Sequence, residues 1–149
     1  MAEIRFQEFR ARMLTGFEQP PYIRVVCAVI ERAGRVLAAK RGTGKLRGGQ
    51  WEFPGGKMHA GETAEHAVVR EVREELGCVV RPRWRLSRIQ HRYPDIAVTL
   101  LPFVCALLEG TPRALEHAEL RWVVYADVCA LDWSEADVPI AIEYFAATR

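Results

Sequence analysis

The chain has 149 residues, of which 50% are hydrophobic and 27% are charged, as is typical of one soluble globular domain. Its 21 basic and 19 acidic residues leave a net charge of +2, which excludes the general polyanion-binding surface of a non-specific nucleic-acid binder. No segment approaches the roughly 20 apolar residues that cross a bilayer, and charged residues interrupt the N-terminus where a signal peptide would be apolar. The widely spaced cysteines have apolar neighbours, which predicts buried free thiols and a cytoplasmic protein; they are Cys27, Cys78, Cys105 and Cys129.

Residues 1–21 are predicted to form an extension that precedes the main domain. Phe9, Met13 and Phe17 recur at a spacing of four, which predicts a short amphipathic helix within residues 1–19. We expect this helix to pack on the body of the protein or on a second subunit. Pro20 and Pro21 end it.

Residues 22–149 are predicted to form one α+β domain. An apolar run over 25–30 and a second over 36–39 predict a strand hairpin, and a glycine-rich basic loop follows at 42–50. The remaining expected elements are helices over 63–76 and 137–147 and strands over 86–92, 98–108 and 121–125.

The stretch from Gly56 to Cys78 carries the strongest chemical signal. On a helical wheel, three glutamates share an arc of about 100° along the edge of the apolar stripe of Val68, Val69, Val72 and Leu76; these are Glu71, Glu74 and Glu75. A solvated acidic face is the commoner outcome of such spacing. The adjacent apolar stripe and the preceding glycine-rich turn favour instead a set of hard oxygen ligands for Mg²⁺ or Mn²⁺.

The same stretch resembles the 23-residue signature of the Nudix hydrolases. The matching positions are Gly56, Glu62 and the run Arg70-Glu71-Val72-Arg73-Glu74-Glu75-Leu76-Gly77, with Cys78 where an aliphatic residue is usual. Shorter matches on both sides are similar to the MutT-like branch; they are residues 51–57, residues 93–95, Glu116 ahead of Trp122, and residues 136–139. The resemblance implies the Nudix fold, in which a mixed β-sheet is sandwiched between α-helices (α/β/α).

The resemblance also implies roles for individual residues. Metal would be coordinated by Glu71, Glu74, Glu75 and the carbonyl of Gly55 or Gly56, while Arg70 pairs with a glutamate and Glu62 supports the loop. Glu116 resembles a further metal ligand or base, although a loop glutamate is otherwise simply solvated.

Further residues are expected to bind the substrate. Arg41 and Lys57 match positions that meet phosphates, whereas Lys45 and Arg47 are expected only to make the loop soluble. Phe53 and Tyr93 are expected either to sandwich the base or to belong to the core. Asp95 is also expected to bind the substrate, because it lies with Tyr93 in the matched stretch 93–95. Asp137 is expected either to cap the final helix or to read the base edge, where an ionised carboxylate only accepts hydrogen bonds.

These observations predict a metal-dependent enzyme that converts a nucleoside or deoxynucleoside triphosphate to the monophosphate and pyrophosphate. The candidate substrates are 8-oxo-dGTP, CTP, dCTP and 5-methyl-dCTP. Two alternatives remain: a pyrophosphatase of nucleotide sugars or dinucleotides, and a non-catalytic nucleotide-sensing module, against which the intact glutamates argue. We expect no nucleic-acid polymer and no membrane as partner, and a monomer or homodimer.

Overall fold

The computed structural model describes residues 21–148, so the helix expected within residues 1–19 lies outside the described part. Eight strands and three helices form within that range. The strands are β1 Tyr22–Arg32, β2 Arg35–Lys40, β3 Trp51–Glu52, β4 Gly55–Lys57, β5 Val79–Arg85, β6 Ile89–Arg92, β7 Ala97–Glu109 and β8 Glu119–Val123. The helices are α1 Ala64–Leu76, α2 Tyr125–Val128 and α3 Val138–Thr148. No helix within 21–148 is long and apolar enough to cross a membrane.

The strands form one mixed sheet around β1. β1 runs parallel to β7 from the pair Tyr22–Ala97 to the pair Glu31–Ala106, and antiparallel to β2 and β4. The main order is β3-β2-β1-β7-β5, with β4 beside β1, β6 beside β7 and β8 beside β2. The predicted β1–β2 hairpin is confirmed, and Ala33 and Gly34 make its turn with positive φ angles of 50° and 75°.

Helices cover both faces of this sheet because successive strand residues point to opposite sides. Val26, Ala28 and Ile30 of β1 pack in one core cluster with α1, whereas Cys27 and Val29 pack in the other with α3. The predicted α/β/α layering of an α+β domain is therefore confirmed.

Two expectations about local structure are wrong. The strand expected over 86–92 forms only over 89–92, and β5 precedes it, with an irregular register around Pro82 because proline cannot donate to the ladder. Cys129 is exposed, whereas the other three cysteines are buried free thiols. It follows the short helix α2, in which no residue is buried, so its apolar neighbours do not enclose it.

Candidate active site

Helix α1 orients the three glutamates of the predicted metal site. The Thr63 hydroxyl accepts a hydrogen bond from the His66 N–H at 3.2 Å, and Gly77 ends the helix with a φ of 67°. With the helix held at both ends, Glu75 is buried, Glu71 is largely covered, and the Glu74 side chain is 53% exposed. The glutamates therefore share an edge of the helix but differ in their access to water.

Arg70 connects three carboxylates to the strand that precedes the helix. Its guanidinium donates to Glu62 at 2.6 Å, to Glu71 at 2.8 Å and to Glu74 at 3.2 Å. A further bond of 3.1 Å reaches the carbonyl oxygen of Lys57 in β4. The bond from Arg70 holds the pKa of Glu62 at about 2, so this carboxylate stays charged and keeps the arginine in place. Arg70 thus orients the acidic edge of α1.

Two glycines of β4 allow the backbone to approach the glutamates. The Gly55 N–H donates to Glu75 Oε2 at 3.1 Å. A Cβ atom on Gly55 would lie 1.9 Å from the Val26 carbonyl oxygen, and one on Gly56 would lie 2.5 Å from the Glu71 carboxyl group. Only glycine fits at position 55, because the obstacle there is backbone, whereas a side chain at position 56 would have to displace the Glu71 carboxyl group.

Negative charge concentrates around Glu75. Burial raises the pKa of this carboxyl group to about 8, and the nearby carboxylates of Glu52, Glu71 and Glu116 add to the rise. Within residues 21–148, no three His, Cys, Asp or Glu side chains converge tightly enough to form a closed set of metal ligands. A buried carboxyl group with three carboxylates nearby nevertheless fits a hard divalent cation, which would offset the repulsion.

A cavity of about 240 Å³ joins Glu75 to most of the residues expected to bind substrate. The predicted site residues that line it are Arg41, Phe53, Gly55, Lys57, Glu75, Tyr93, Glu116 and Asp137. Arg70, Glu71, Glu74 and Asp95 are not among the lining residues. The cavity therefore combines carboxylates, cationic side chains and aromatic rings in one space.

The sequence analysis missed Glu52 and His117, which also line the cavity. Both Glu52 carboxylate oxygens lie 3.2 Å from the Arg41 guanidinium, and His117 Nε2 lies 3.1 Å from Glu52 Oε1. Arg41 also donates to the carbonyl oxygen of Leu46 at 2.9 Å. Arg41 is therefore tied to Glu52 and to the loop, as well as facing the cavity. Glu52 could have been predicted as a site residue from its position, because it lies within the matched stretch 51–57.

Arg47 is also placed differently from expectation. It lines the cavity instead of pointing into solvent, with its guanidinium carbon 4.1 Å from the centre of the Tyr93 ring. It pairs with Asp95 at 2.8 Å. The expectation that Arg47 serves only loop solubility is wrong, because its guanidinium pairs with Asp95 and packs on the Tyr93 ring.

Asp137 connects the start of α3 to the end of β3. Its backbone carbonyl accepts from the Ala141 N–H at 3.1 Å, and its side-chain Oδ1 accepts from the Phe53 N–H at 2.9 Å. Burial, and then the charge of Glu52, raise the pKa of Asp137 to about 8. At neutral pH the carboxyl group is therefore mostly protonated and can donate a hydrogen bond as well as accept one. The assumption of an ionised Asp137 does not fit these surroundings.

Replacing Asp137 with Asn is expected to remove a pH-dependent loss of stability. The folded-state pKa of about 8 lies above the ordinary value of 3.8, so between these values the folded protein keeps a proton that the unfolded chain has released. The free energy of unfolding therefore falls as the pH rises through this window, by up to about 1 kcal/mol per pH unit. Asn does not titrate, and its oxygen can still accept from the Phe53 N–H.

Urea unfolding of both proteins at about pH 5 and about pH 8 measures this effect. The difference in unfolding free energy between variant and wild type should shift in favour of the variant at the higher pH. Other titrating groups, Glu75 included, are present in both proteins and cancel in the difference. A difference that is the same at both pH values would contradict the assignment.

Comparisons with known proteins identify the family and the fold of the chain. The NUDIX domain model matches residues 20–144. The chain is 35% identical over 127 residues to the CTP pyrophosphohydrolase of Escherichia coli, covering 85% of this chain and 93% of that protein. It is 35% identical over 89 residues to the 8-oxo-dGTP diphosphatase of the same species, covering 60% of this chain and 69% of that protein. The solution structure of the E. coli ORF135 protein superposes with a TM-score of 0.75 at 31% identity, covering 87% of this chain and 92% of the other.

The family match and the relatives named as diphosphatases show a hydrolase of phosphoric anhydride bonds. Its family follows from the match over residues 20–144. The chain belongs to the Nudix hydrolases and is similar to their MutT-like members. Members of this family generally use divalent metal ions.

Proposed function

We propose that this protein is a Mg²⁺-dependent pyrophosphohydrolase that converts a nucleoside or deoxynucleoside triphosphate to the monophosphate and pyrophosphate. The observation that carries the proposal is the cavity itself, which has Glu75 and Glu116 among its walls together with Phe53, Tyr93 and Asp137. Carboxylates suit the metal-bound phosphates, whereas the aromatic rings and the buried carboxyl group suit a base. Mn²⁺ would satisfy the same oxygen ligands.

The cation would be held by Glu71, Glu74, Glu75, Glu116 and the carbonyl of Gly55 or Gly56. When bound, Mg²⁺ supplies charge neutralisation for the triphosphate and a lower pKa for an attacking water. Arg70 keeps Glu71 oriented, and the Gly55 N–H does the same for Glu75. The exposed Lys57 lines the cavity and would meet the phosphates.

Asp137 would read the base edge from the other part of the cavity. As a neutral acid at pH 7 it offers both a donor and an acceptor. Cytosine presents an amino group beside a ring nitrogen, and 8-oxoguanine presents N7–H beside O6, so both fit such a pair. The relatives named CTP pyrophosphohydrolase and 8-oxo-dGTP diphosphatase support these two substrate groups. We therefore propose a role in clearing or controlling nucleotide pools, in the cytoplasm and without a nucleic-acid or membrane partner.

Rates measured on a panel of nucleotides test the proposal, with the nucleoside monophosphate product as the readout for every compound and pyrophosphate measured in addition for the triphosphates. The panel contains 8-oxo-dGTP, dGTP, CTP, dCTP, 5-methyl-dCTP, a nucleotide sugar and a dinucleotide. We expect at least one triphosphate of the 8-oxoguanine or cytosine group to have the highest kcat/KM. Preferred cleavage of the nucleotide sugar or dinucleotide would replace the proposed substrate class, and binding without cleavage would indicate a sensing module.

Removing divalent cations is expected to abolish hydrolysis. The like charges around Glu75 disfavour the ionised empty site, and the triphosphate adds further negative charge, so productive binding needs a cation. Activity is measured after dialysis against EDTA and again after addition of Mg²⁺ or Mn²⁺, which should restore it. Undiminished turnover in the metal-free protein would contradict the metal assignment.

A further inference from the structure

The glycine-rich loop over residues 42–50 is held across the cavity by one side chain. Arg47 leaves this loop and reaches the turn between β6 and β7, where it pairs with Asp95 at 2.8 Å and lies 4.1 Å from the Tyr93 ring centre. These contacts join residues 46 and 48 positions apart in the chain. Only 24% of the Arg47 side chain is exposed, although its neighbour Leu46 is 65% exposed.

Tyr93 is a rigid support for this guanidinium. Its hydroxyl group forms hydrogen bonds with the Ser134 hydroxyl and with the Ala136 N–H. The ring of His91 packs against it edge to face, with centres 4.5 Å apart. Because these contacts fix the ring, the guanidinium of Arg47 packs on a surface whose position is set by the body of the domain.

The position of this contact assigns Arg47 to the base-binding part of the cavity. The Tyr93 hydroxyl group accepts a hydrogen bond from the N–H of Ala136, the residue directly before Asp137. These three residues line the cavity together with Arg47. A planar guanidinium stacks on aromatic rings and on nucleobases alike. Asp95 fixes its orientation by charge, so the plane is ordered before any ligand arrives.

We propose that Arg47 is a base-binding residue whose guanidinium, held on Tyr93 by Asp95, contacts the nucleobase of the substrate. The inference rests on the proposed function, because it assigns a nucleobase to this part of the cavity. Tyr93 then acts mainly by supporting Arg47, and the base stacks on a cationic plane.

The test compares wild type with Arg47→Ala and Arg47→Lys, using the wild type's best nucleotide and base-free ribose 5-triphosphate. For Arg47→Ala we expect KM for the nucleotide to rise about tenfold, the usual size of one stacking contact, with kcat changed less than about threefold. KM for the base-free compound should stay the same. Arg47→Lys should not restore KM, because an ammonium group has no plane to stack. Leu46→Ala, which alters an exposed neighbour in the same loop, is the matched control and should behave as wild type.

The outcomes separate the two proposals. If wild type cleaves a nucleoside triphosphate and Arg47→Ala has an unchanged KM, the inference fails and the proposed function stands. An equal rise in KM for both substrates would show that Arg47 contacts the phosphates and would overturn the inference. A lower KM in Arg47→Ala would show that the base takes the Tyr93 face, which also overturns it. If wild type cleaves no nucleoside triphosphate, the proposed function fails and the inference falls with it.

Discussion

Replacing Glu75 with Gln is expected to lower kcat by about 10²-fold or more without lowering stability. Glu75 is the glutamate of α1 that lines the cavity, and the Gly55 N–H orients it. Removing one preorganised charged group from a reaction centre costs about this much in rate. Burial and three like charges raise the pKa of Glu75 to about 8, so at neutral pH the metal-free protein already holds this group mostly in its neutral form, and a neutral amide in its place should keep the melting temperature.

Rate and thermal unfolding are therefore measured on the same preparation. Glu65→Gln is the matched control, because Glu65 lies on the same helix, is exposed and pairs with Arg85 outside the cavity. The control should retain wild-type kcat. Wild-type kcat for Glu75→Gln at saturating Mg²⁺ would show that Glu75 is not part of the reaction centre. A large fall in the melting temperature would show that its role is structural.

Replacing Gly56 with Ala is expected to cause a comparable loss of activity in a folded protein. The added Cβ would lie 2.5 Å from the Glu71 carboxyl group, which is the far end of a flexible side chain and can move aside. Its displacement breaks the arrangement that Arg70 holds at 2.8 Å. Misplacement of a reacting group by about 1 Å can cost 10²-fold in rate, so we expect a loss of about that size.

Gly55→Ala is expected to have a different effect from Gly56→Ala. Its Cβ would lie 1.9 Å from the carbonyl oxygen of Val26, which is backbone in the central strand and cannot move without disrupting the sheet. We therefore expect Gly55→Ala to lose the fold, while Gly56→Ala loses only activity. Gly44→Ala is the control, because nothing lies within 4 Å of its Cβ position. Circular dichroism and kcat distinguish the three proteins, and a fully active Gly56→Ala would contradict the role of close approach.

The layered fold was predictable because local patterns and packing agree. The apolar stripe of α1 appears in the sequence at helical spacing, and in the structure Val68, Val72 and Leu76 are fully buried against the sheet. The β1–β2 hairpin was likewise marked by two apolar runs around Gly34. β5 was harder to predict: Arg81, Arg83 and Arg85 alternate as they do on a solvated strand face, but Pro82 and Trp84 between them do not form a buried face.

The candidate site was predictable only where one segment contains the signal. Gly55, Gly56 and the glutamates of α1 lie within one short stretch of chain, so their spacing was sufficient to propose a shared function. Glu52, His117 and Arg47 escaped prediction because their roles depend on partners far away in the chain. Arg47, for example, contacts residues 46 and 48 positions away.

The sequence by itself determined the α+β class, the family resemblance and the acidic edge of α1, because each depends on residue types at short, regular spacing; the α/β/α layering was implied by the resemblance. Only the tertiary structure decided which carboxyl groups are buried. Glu75 and Asp137 both have a raised pKa because the sheet, α1 and α3 exclude water around them and bring Glu52 close to both. Protonation depends on the sum of charges and solvent around a group, and folding assembles that environment from segments that no local pattern connects.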